Sequence, residues 1–188
     1  MAELTFKQSD HRNYIVPILI ALVLVGAAVG YVYFRPHRVA DISITHVAVV
    51  PTHTVLKTES KLVGAQNEVQ DVVYVMATVR IENHSTVPLT IDDLGGTLTP
   101  PDNSGEPTTI SAAQKDGLES IYSAFPAVKP QAGAPLLRET TIQPGAHAEG
   151  MVLLNFPASQ DDWNKRASAS VTIGFYQHDP YSVTIPKS

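Results

Sequence analysis

The chain has 188 residues, 44 % of them hydrophobic, with no cysteine and a formal net charge of −5. Its length suits one domain of ordinary size plus a further segment, and the lack of cysteine excludes disulfide frameworks, thiolate zinc sites and cysteine nucleophiles. Residues 39–188 carry nine Lys or Arg against 16 Asp or Glu, a net charge of −7, so a nucleic-acid partner is not expected.

An uncharged apolar run occupies residues 14–34. As a helix, its 21 residues would span roughly 30 Å, the thickness of a bilayer's hydrocarbon core. Twelve of them are Ile, Leu, Val or Phe, which together contribute roughly −5 kcal/mol to membrane insertion. The sequence predicts a transmembrane helix over residues 14–34, a short cytoplasmic tail at 1–13, a juxtamembrane linker at 35–40 and one extracytoplasmic domain at 41–188.

Both ends of the apolar run carry residue types that favour the membrane surface. Tyrosine rings are amphipathic and suit the headgroup level, and arginine heads reach the aqueous phase. We therefore expect five interfacial anchors, which are Tyr14, Tyr31, Tyr33, Arg35 and Arg38.

A cleaved secretory signal is the alternative interpretation of this run. Small residues at Gly26, Ala27 and Ala28 are of the type that a signal peptidase accepts after a short apolar core. Apolar residues continue beyond that point through 29–34. A retained anchor explains more of the pattern.

The charge bias that sets membrane orientation is balanced here. Lys7 and Arg12 precede the run, and Arg35 and Arg38 follow it, so the positive-inside rule indicates no direction. We favour the short tail inside and the large domain outside, because export of a charged N-terminal tail is the less usual arrangement.

The helix also carries a small-residue motif. Gly26 and Gly30 form G-x-x-x-G with Ala27 beside the first glycine, and such residues let two membrane helices approach closely. They are the candidate helix-packing residues, with a second copy or another membrane subunit as the partner. The alternative is that glycine is simply frequent in membrane helices.

After residue 39 the pattern changes from continuous to alternating hydrophobicity. The stretch VVYVMATVRIEN places these residues on one face: Val73, Val75, Ala77, Val79 and Ile81. Its other face carries Tyr74, Thr78, Arg80 and Glu82. This period of two is typical of a half-buried antiparallel strand. Further short strands are expected in DISITHVAVV, TVLKTES, VPLTIDDL, TLTPP, RETTIQP, AEGMVLLNFP, ASVTIGFYQ and YSVTIPK. About eight strands with turn residues between them predict a mainly β fold, an antiparallel β-sandwich.

One stretch, SAAQKDGLESIYSAFP, departs from the alternating pattern. Ser111 with Gln114 three residues later matches a capping box, and apolar residues then recur at helical spacing up to Phe125. We expect a helix over residues 112–125 that ends before Pro126 and covers an open edge or end of the sandwich. A partner-docking helix is the functional alternative.

Three stretches carry a resemblance to a known family: VRIENHS, the TVPLTI that follows it, and IQPGAHAEGMVLLNFP. They resemble the telokin-like and water-stress-type immunoglobulin-like domains of single-pass bacterial envelope proteins. The resemblance implies that Asn83 and Ser85 turn the chain after a core strand and that Pro144-Gly145 precedes another strand. It implies an immunoglobulin-like fold and a domain on the periplasmic side of the bacterial inner membrane, but no activity.

Motifs of catalysis and cofactor binding are not found in the sequence. It contains no phosphate-binding glycine loop, nucleophile elbow or H-E-x-x-H motif, and we expect no cofactor and no catalytic residue. The seven histidines have no close metal-ligand spacing; His46 and His53, for example, are seven apart. We therefore expect no metal site among them.

Acidic pairs and a lone tryptophan are the remaining candidates. Asp92-Asp93, which precedes a Gly95-Gly96 turn, and Asp161-Asp162 are better explained as solvated turns than as calcium ligands. Trp163 is a candidate partner contact, because tryptophan is enriched at interface hot spots. Packing at the rim or core of the sandwich is the more ordinary role for it.

Two functional hypotheses follow. The first is a non-catalytic single-pass membrane protein, an accessory or assembly subunit that contacts the bilayer and other subunits. The second is an anchored ligand- or ion-binding module, with loops near Asp92, Asp102 and Asp161 forming the site.

Overall fold

The computed structural model describes residues 15–34, 39–56, 68–101 and 105–187. These residues form two compact units, which meet in sequence between Arg38 and Val39. In chain order the helices and strands are α1 (Ile15–Phe34), β1 (Ala40–Leu56), β2 (Glu68–Asn83), β3 (Leu89–Thr99), β4 (Thr108–Ser111), α2 (Lys115–Ala124), a 3-10 helix (Lys129–Gln131), β5 (Thr141–Ile142), β6 (His147–Phe156), α3 (Gln160–Lys165), β7 (Ser168–Phe175) and β8 (Tyr181–Thr184).

The N-terminal unit contains α1, a helix of 20 residues. Pro17 lies in its first turn, where the missing N–H removes no intrahelical bond. The side chains described for α1 belong to residues 15–31, and the large apolar ones are exposed, for example Leu22 at 71 % and Val29 at 61 %. Over the described residues, no helix meets the length and apolarity of a membrane span. The transmembrane helix over residues 14–34 stays a prediction.

The second unit is mainly β, with antiparallel pairing between its strands, as the alternating pattern predicts. One sheet has the strand order β1-β2-β6, and the other has the order β4-β3-β7-β8 with β5 paired to β3. Apolar side chains of both sheets share one core cluster, which includes Val75, Ile91, Leu154 and Val171. The sheets therefore enclose a common hydrophobic interior between them.

The core face of β2 is confirmed. Its five predicted residues are all fully buried: Val73, Val75, Ala77, Val79 and Ile81. The expectation that the opposite face is solvated is wrong for its central part, because Tyr74 and Met76 are 5 % and 1 % exposed. They belong to a second apolar cluster with Leu118, Val128, Met151 and Leu153.

A single long strand replaces two of the predicted short strands. The expectation of a turn at Gly95-Gly96 is wrong, because both glycines lie inside β3. A Cβ on Gly96 would meet Leu154 Cδ1 at 2.5 Å and the Ser170 carbonyl oxygen at 2.9 Å. The glycines are therefore explained by close packing within and beneath the sheet.

The predicted helix starts later than expected, and Ser111 does not cap it. Ser111 pairs with Gly95 at the end of β4, and the backbone N–H of Ala112 donates to the Leu94 carbonyl. These bonds hold the chain extended, so α2 begins at Lys115 after an N-cap, Gln114, that makes no side-chain cap hydrogen bond.

The prediction that this helix covers an open edge or end of the sandwich is wrong. Leu118 of α2 packs in the second apolar cluster, which lies on the outer face of the β2-β6 part of the sheet. It is the following segment that covers the edge of β6. There the N–H of Leu136 donates to the Met151 carbonyl, and the N–H of Met151 donates to the Ala134 carbonyl.

Candidate functional site

The candidate packing residues lie on α1. Gly26 and Gly30 are four residues apart, and a Cβ added to either glycine would meet nothing within 4 Å. They share one face of the helix, while Ala27 lies about 100° around the axis from Gly26. Tyr31 is exposed in the same helix. Tyr14, Arg35, Arg38 and the side chain of Tyr33 lie outside the described residues.

Trp163 occupies the end of the sandwich and is 2 % exposed. Its helix, α3, was not expected from the sequence, although the Ser159-x-x-Asp162 spacing is a capping-box signal. Both halves of that box form, since Ser159 Oγ accepts from the Asp162 N–H and the Asp162 carboxylate accepts from the Ser159 N–H. The resulting helix directs Trp163 onto Phe156, with the ring centroids 6.0 Å apart.

Arg166 lies over the Trp163 indole and is only 3 % exposed. Its guanidinium carbon lies 3.9 Å from the centroid of the Trp163 ring, a cation–π distance. Nη1 donates to the Trp163 carbonyl at 2.7 Å, and Nη2 donates to the Pro186 carbonyl at 2.9 Å. Arg166 therefore joins α3 to the C-terminal segment after β8.

The cation of Arg166 has no counter-charge among the described residues. None of the ion pairs formed there includes it, and its Nε is buried without a hydrogen-bond partner. Burial lowers the pKa of Arg166, because removal from water disfavours the charged form. The sequence carried no signal for this residue, since Asn164-Lys165-Arg166 has the composition of an ordinary exposed helix end.

A cleft of about 270 Å³ lies beside this pair and follows the edge strand β1. We call it the β1 cleft. Its lining residues are Ile44, Thr45, His46, Val47, Val49, Trp163, Arg166 and Pro186. Most of these side chains are apolar, and Arg166 is the one permanent charge among them. The arrangement suits a small ligand that combines an apolar body with one negative group.

The β1 edge next to the cleft is irregular. The register between β1 and β2 shifts between Ile44 and His46, and Pro51 lies farther along the strand. Bulges and prolines on an edge strand limit uncontrolled pairing with other chains. The β1 cleft therefore opens beside an edge that is protected against sheet-to-sheet aggregation.

The acidic residues expected to form a loop site are not brought together. Asp92 lies at a bulge near the start of β3, where Asp93 forms an ion pair with Arg138. Asp161 is on α3, where it pairs with Lys165 at 3.3 Å. The N–H of Ala167, just after α3, donates to the carbonyl of Thr99 at the opposite end of β3. Asp102 lies outside the described residues. The hypothesis of one loop site shared by Asp92 and Asp161 is therefore wrong.

The histidines described by the structure occupy separate exposed positions. Nδ1 of His53 lies 2.5 Å from Asp71 Oδ1 across the β1-β2 pair, and His46 lies at the bulge. Within the described ranges, no three His, Cys, Asp or Glu side chains are grouped as metal ligands.

Asn83 has the turn-forming position that the resemblance implies, and it is 1 % exposed. Its Nδ2 donates to the carbonyls of Val87 and Ile142, each at 2.9 Å, and its Oδ1 accepts from the N–H and hydroxyl of Ser85. The buried Asn83 side chain therefore holds the turn that follows β2, while His84 in the same turn is exposed.

Comparisons with known proteins identify no family. No family model matches the chain, and no curated protein matches it. A structural genomics target designated SoR45 is similar over 74 % of this chain and 82 % of that chain, with 7 % identity and a TM-score of 0.31. A Bordetella pertussis protein named as a candidate ApaA protein is similar over 80 % and 93 %, with 14 % identity and a TM-score of 0.31. Likenesses this weak carry no argument about fold or function.

Proposed function

We propose that this chain is a non-catalytic single-pass membrane protein, an accessory or assembly subunit of a larger bacterial membrane complex. Its helix would lie in the inner membrane and contact other subunits or a second copy. Its β domain, which we propose to be immunoglobulin-like of the telokin or water-stress type, would lie on the periplasmic side. The bilayer and protein subunits are the partners, and nucleic acid is not among them.

One observation carries this proposal: α1 presents large apolar side chains to the outside on all its faces. Ile18, Leu22 and Val25, for instance, are each more than 60 % exposed. A helix that is apolar all round is stable in a membrane or a protein core and not in water. The proposal takes the uncharged run at residues 14–34 as the span, with Arg35 and Arg38 at the surface.

Extraction of membranes tests the anchor. We would express the full chain in a bacterium and wash the membranes with alkaline carbonate, which releases peripheral proteins. The native chain should stay in the membrane pellet. A Leu22→Lys, Val25→Lys double variant should be released, because two lysines near the helix centre cost roughly 5–7 kcal/mol, about as much as the apolar run contributes.

Two lysines added in the tail, Gln8→Lys with Asn13→Lys, form the matched control and should leave the protein in the pellet. Protease added to intact spheroplasts should digest the β domain, as the proposed orientation requires. Release of the native chain by carbonate would overturn the proposal that α1 anchors it in the membrane. A lone monomer after purification in mild detergent would overturn the role as a subunit.

A second candidate function is an anchored ligand-binding or sensing module. The specific observation in its favour is the β1 cleft, where the buried cation of Arg166 has no counter-charge among the described residues.

A further inference from the structure

We propose that the β1 cleft binds a carboxylate carried on a short aliphatic body. The proposal deepens the second candidate function and rests on it. It is independent of the membrane anchor, so each can fail without the other.

The size and walls of the cleft set the apolar part of the ligand. The volume of about 270 Å³ is just below the range of drug-sized ligand pockets, roughly 300 to 1,000 Å³, so the ligand must be small. The walls include Ile44, Val47 and Val49 of β1, which pack against the core cluster that the two sheets share. A short branched alkyl group matches these walls, whereas a nucleotide or a sugar phosphate is too large and too polar.

The charge of Arg166 determines the polar part of the ligand. An arginine has five N–H donors, and the Trp163 and Pro186 carbonyls accept from only two of them. Nε has no partner, and no described carboxylate pairs with the guanidinium. A buried unpaired cation is costly, and an anion that enters the cleft recovers part of that cost.

A carboxylate is the anion that fits best. Its planar oxygens match the guanidinium fork, and a single negative charge balances the single permanent cation of the cleft. A phosphate would bring more charge than Arg166 can balance, and most of the walls around it are apolar.

The same chemistry has two natural sources. One is a free small carboxylic acid. The other is the C-terminal carboxylate of a peptide whose last apolar side chain enters the cleft.

The chain offers a direct reporter, because Trp163 is its single tryptophan and lines the cleft. We would titrate the full chain in mild detergent with 4-methylpentanoate and follow Trp163 fluorescence. The neutral isostere 4-methylpentanamide is the control ligand. We expect a saturable change with the acid and at least tenfold weaker binding of the amide. No saturable change with the acid, or equal affinities for acid and amide, would overturn the proposal.

Variants at Val47 test the role of charge from the protein side. Val47→Glu adds a carboxylate to the wall of the cleft. This carboxylate should compete with 4-methylpentanoate for Arg166 and weaken its binding at least tenfold. Val47→Gln has the same size without the charge and should weaken it less. Thr109→Glu, at an exposed position of β4, adds the same charge elsewhere and should change nothing. Equal losses in the Glu and Gln variants would contradict recognition by charge. If a Val47 variant does not fold, the comparison of acid and amide binding to the native chain still tests whether the cleft recognises the negative charge of the ligand.

N-acetyl-valyl-leucine and its C-terminal amide distinguish the two sources. Tighter binding of the dipeptide acid than of 4-methylpentanoate identifies the end of a polypeptide as the ligand. Equal or weaker binding identifies a free small acid. The two proposals can be separated. If no acid binds but the chain stays in carbonate-washed membranes, carboxylate binding in the β1 cleft is overturned and the proposed membrane anchor stands.

Discussion

Arg166 covers one face of the Trp163 indole at 3.9 Å and donates to the carbonyl of the same residue at 2.7 Å. One side chain thus fixes both the ring and the backbone of its neighbour three positions earlier. Its second hydrogen bond, to Pro186, connects α3 to the segment that follows β8. All three residues, Trp163, Arg166 and Pro186, line the β1 cleft.

Replacement of Arg166 by methionine should destabilise the β domain by about 1–3 kcal/mol. Methionine keeps an apolar stem beside Trp163, but the Trp163 and Pro186 carbonyls lose their charged donor. Relief of the buried cation offsets part of this loss. Urea unfolding followed by Trp163 fluorescence measures the change. Lys165→Met is the control and should shift stability by at most about 0.5 kcal/mol, because the ion pair of Lys165 is exposed. Equal effects of the two substitutions would contradict the structural role of Arg166.

Replacement of Gly96 by alanine should destabilise the domain by about 1–3 kcal/mol. The added Cβ would lie 2.5 Å from Leu154 Cδ1 and 2.9 Å from the Ser170 carbonyl oxygen. Leu154 can turn away, but the Ser170 backbone belongs to β7 and has to shift. Thermal unfolding monitored by circular dichroism measures the effect.

Gly133→Ala is the matched control, because its Cβ would meet the nearest atom, Met151 Cβ, at the ordinary distance of 3.8 Å. We expect its midpoint to stay within a few degrees of the native value. A Gly96→Ala variant as stable as the native chain would show that the neighbouring strands β3 and β7 can shift locally without cost.

Alternation along the chain was enough to predict the β class and the core face of β2. Five apolar residues at a period of two share one face only in a strand, and all five are buried. The turn at Gly95-Gly96 was predicted wrongly because glycine serves both turns and close contacts. The local sequence does not distinguish these uses, and here the nearby Leu154 side chain and Ser170 backbone explain Gly96.

The β1 cleft could not be predicted because its residues are far apart in sequence. Val47 and Arg166 are 119 positions apart, and only the pairing of strands brings β1 near α3. The buried Arg166 also violates the usual expectation that arginine is exposed. The capping box at Ser159 and Asp162 was the one local signal for α3, and it was visible in the sequence.

The stability contributed by Asp162 should depend on pH in the acidic range. Hydrogen bonds from the Ser159 hydroxyl and then the Ser159 N–H hold the pKa of Asp162 below its ordinary value of 3.8. A pKa lowered by folding gives stability that is present above pH 3.8 and is lost as the pH falls through the folded-state pKa. Because water screens this exposed carboxylate, Asp162→Asn should cost at most about 1 kcal/mol at neutral pH and nothing once the pH is below that pKa.

Urea unfolding of both proteins from neutral pH down to about pH 2 measures this difference. Ser159→Ala supplies the control background, since the Asp162→Asn effect should shrink there at neutral pH. A difference between the native chain and Asp162→Asn that persists at the acidic end would show that the lost stability does not come from the carboxylate charge.

The glycine face of α1 gives the sharpest test of the subunit role. Gly26 and Gly30 lie on one face of the helix, whereas Ala28 lies about 200° around the axis from Gly26. Gly30→Leu should separate the chain from its membrane partner in mild detergent, because an isobutyl group holds two helices apart where glycine lets them touch. Ala28→Leu makes a comparable small-to-large change on the opposite face and should leave the complex intact. Native gel migration and crosslinking report the result, and carbonate extraction checks that both variants stay inserted. If Gly30→Leu migrates with the complex as the native chain does, the association does not use this face, and the β domain must carry it.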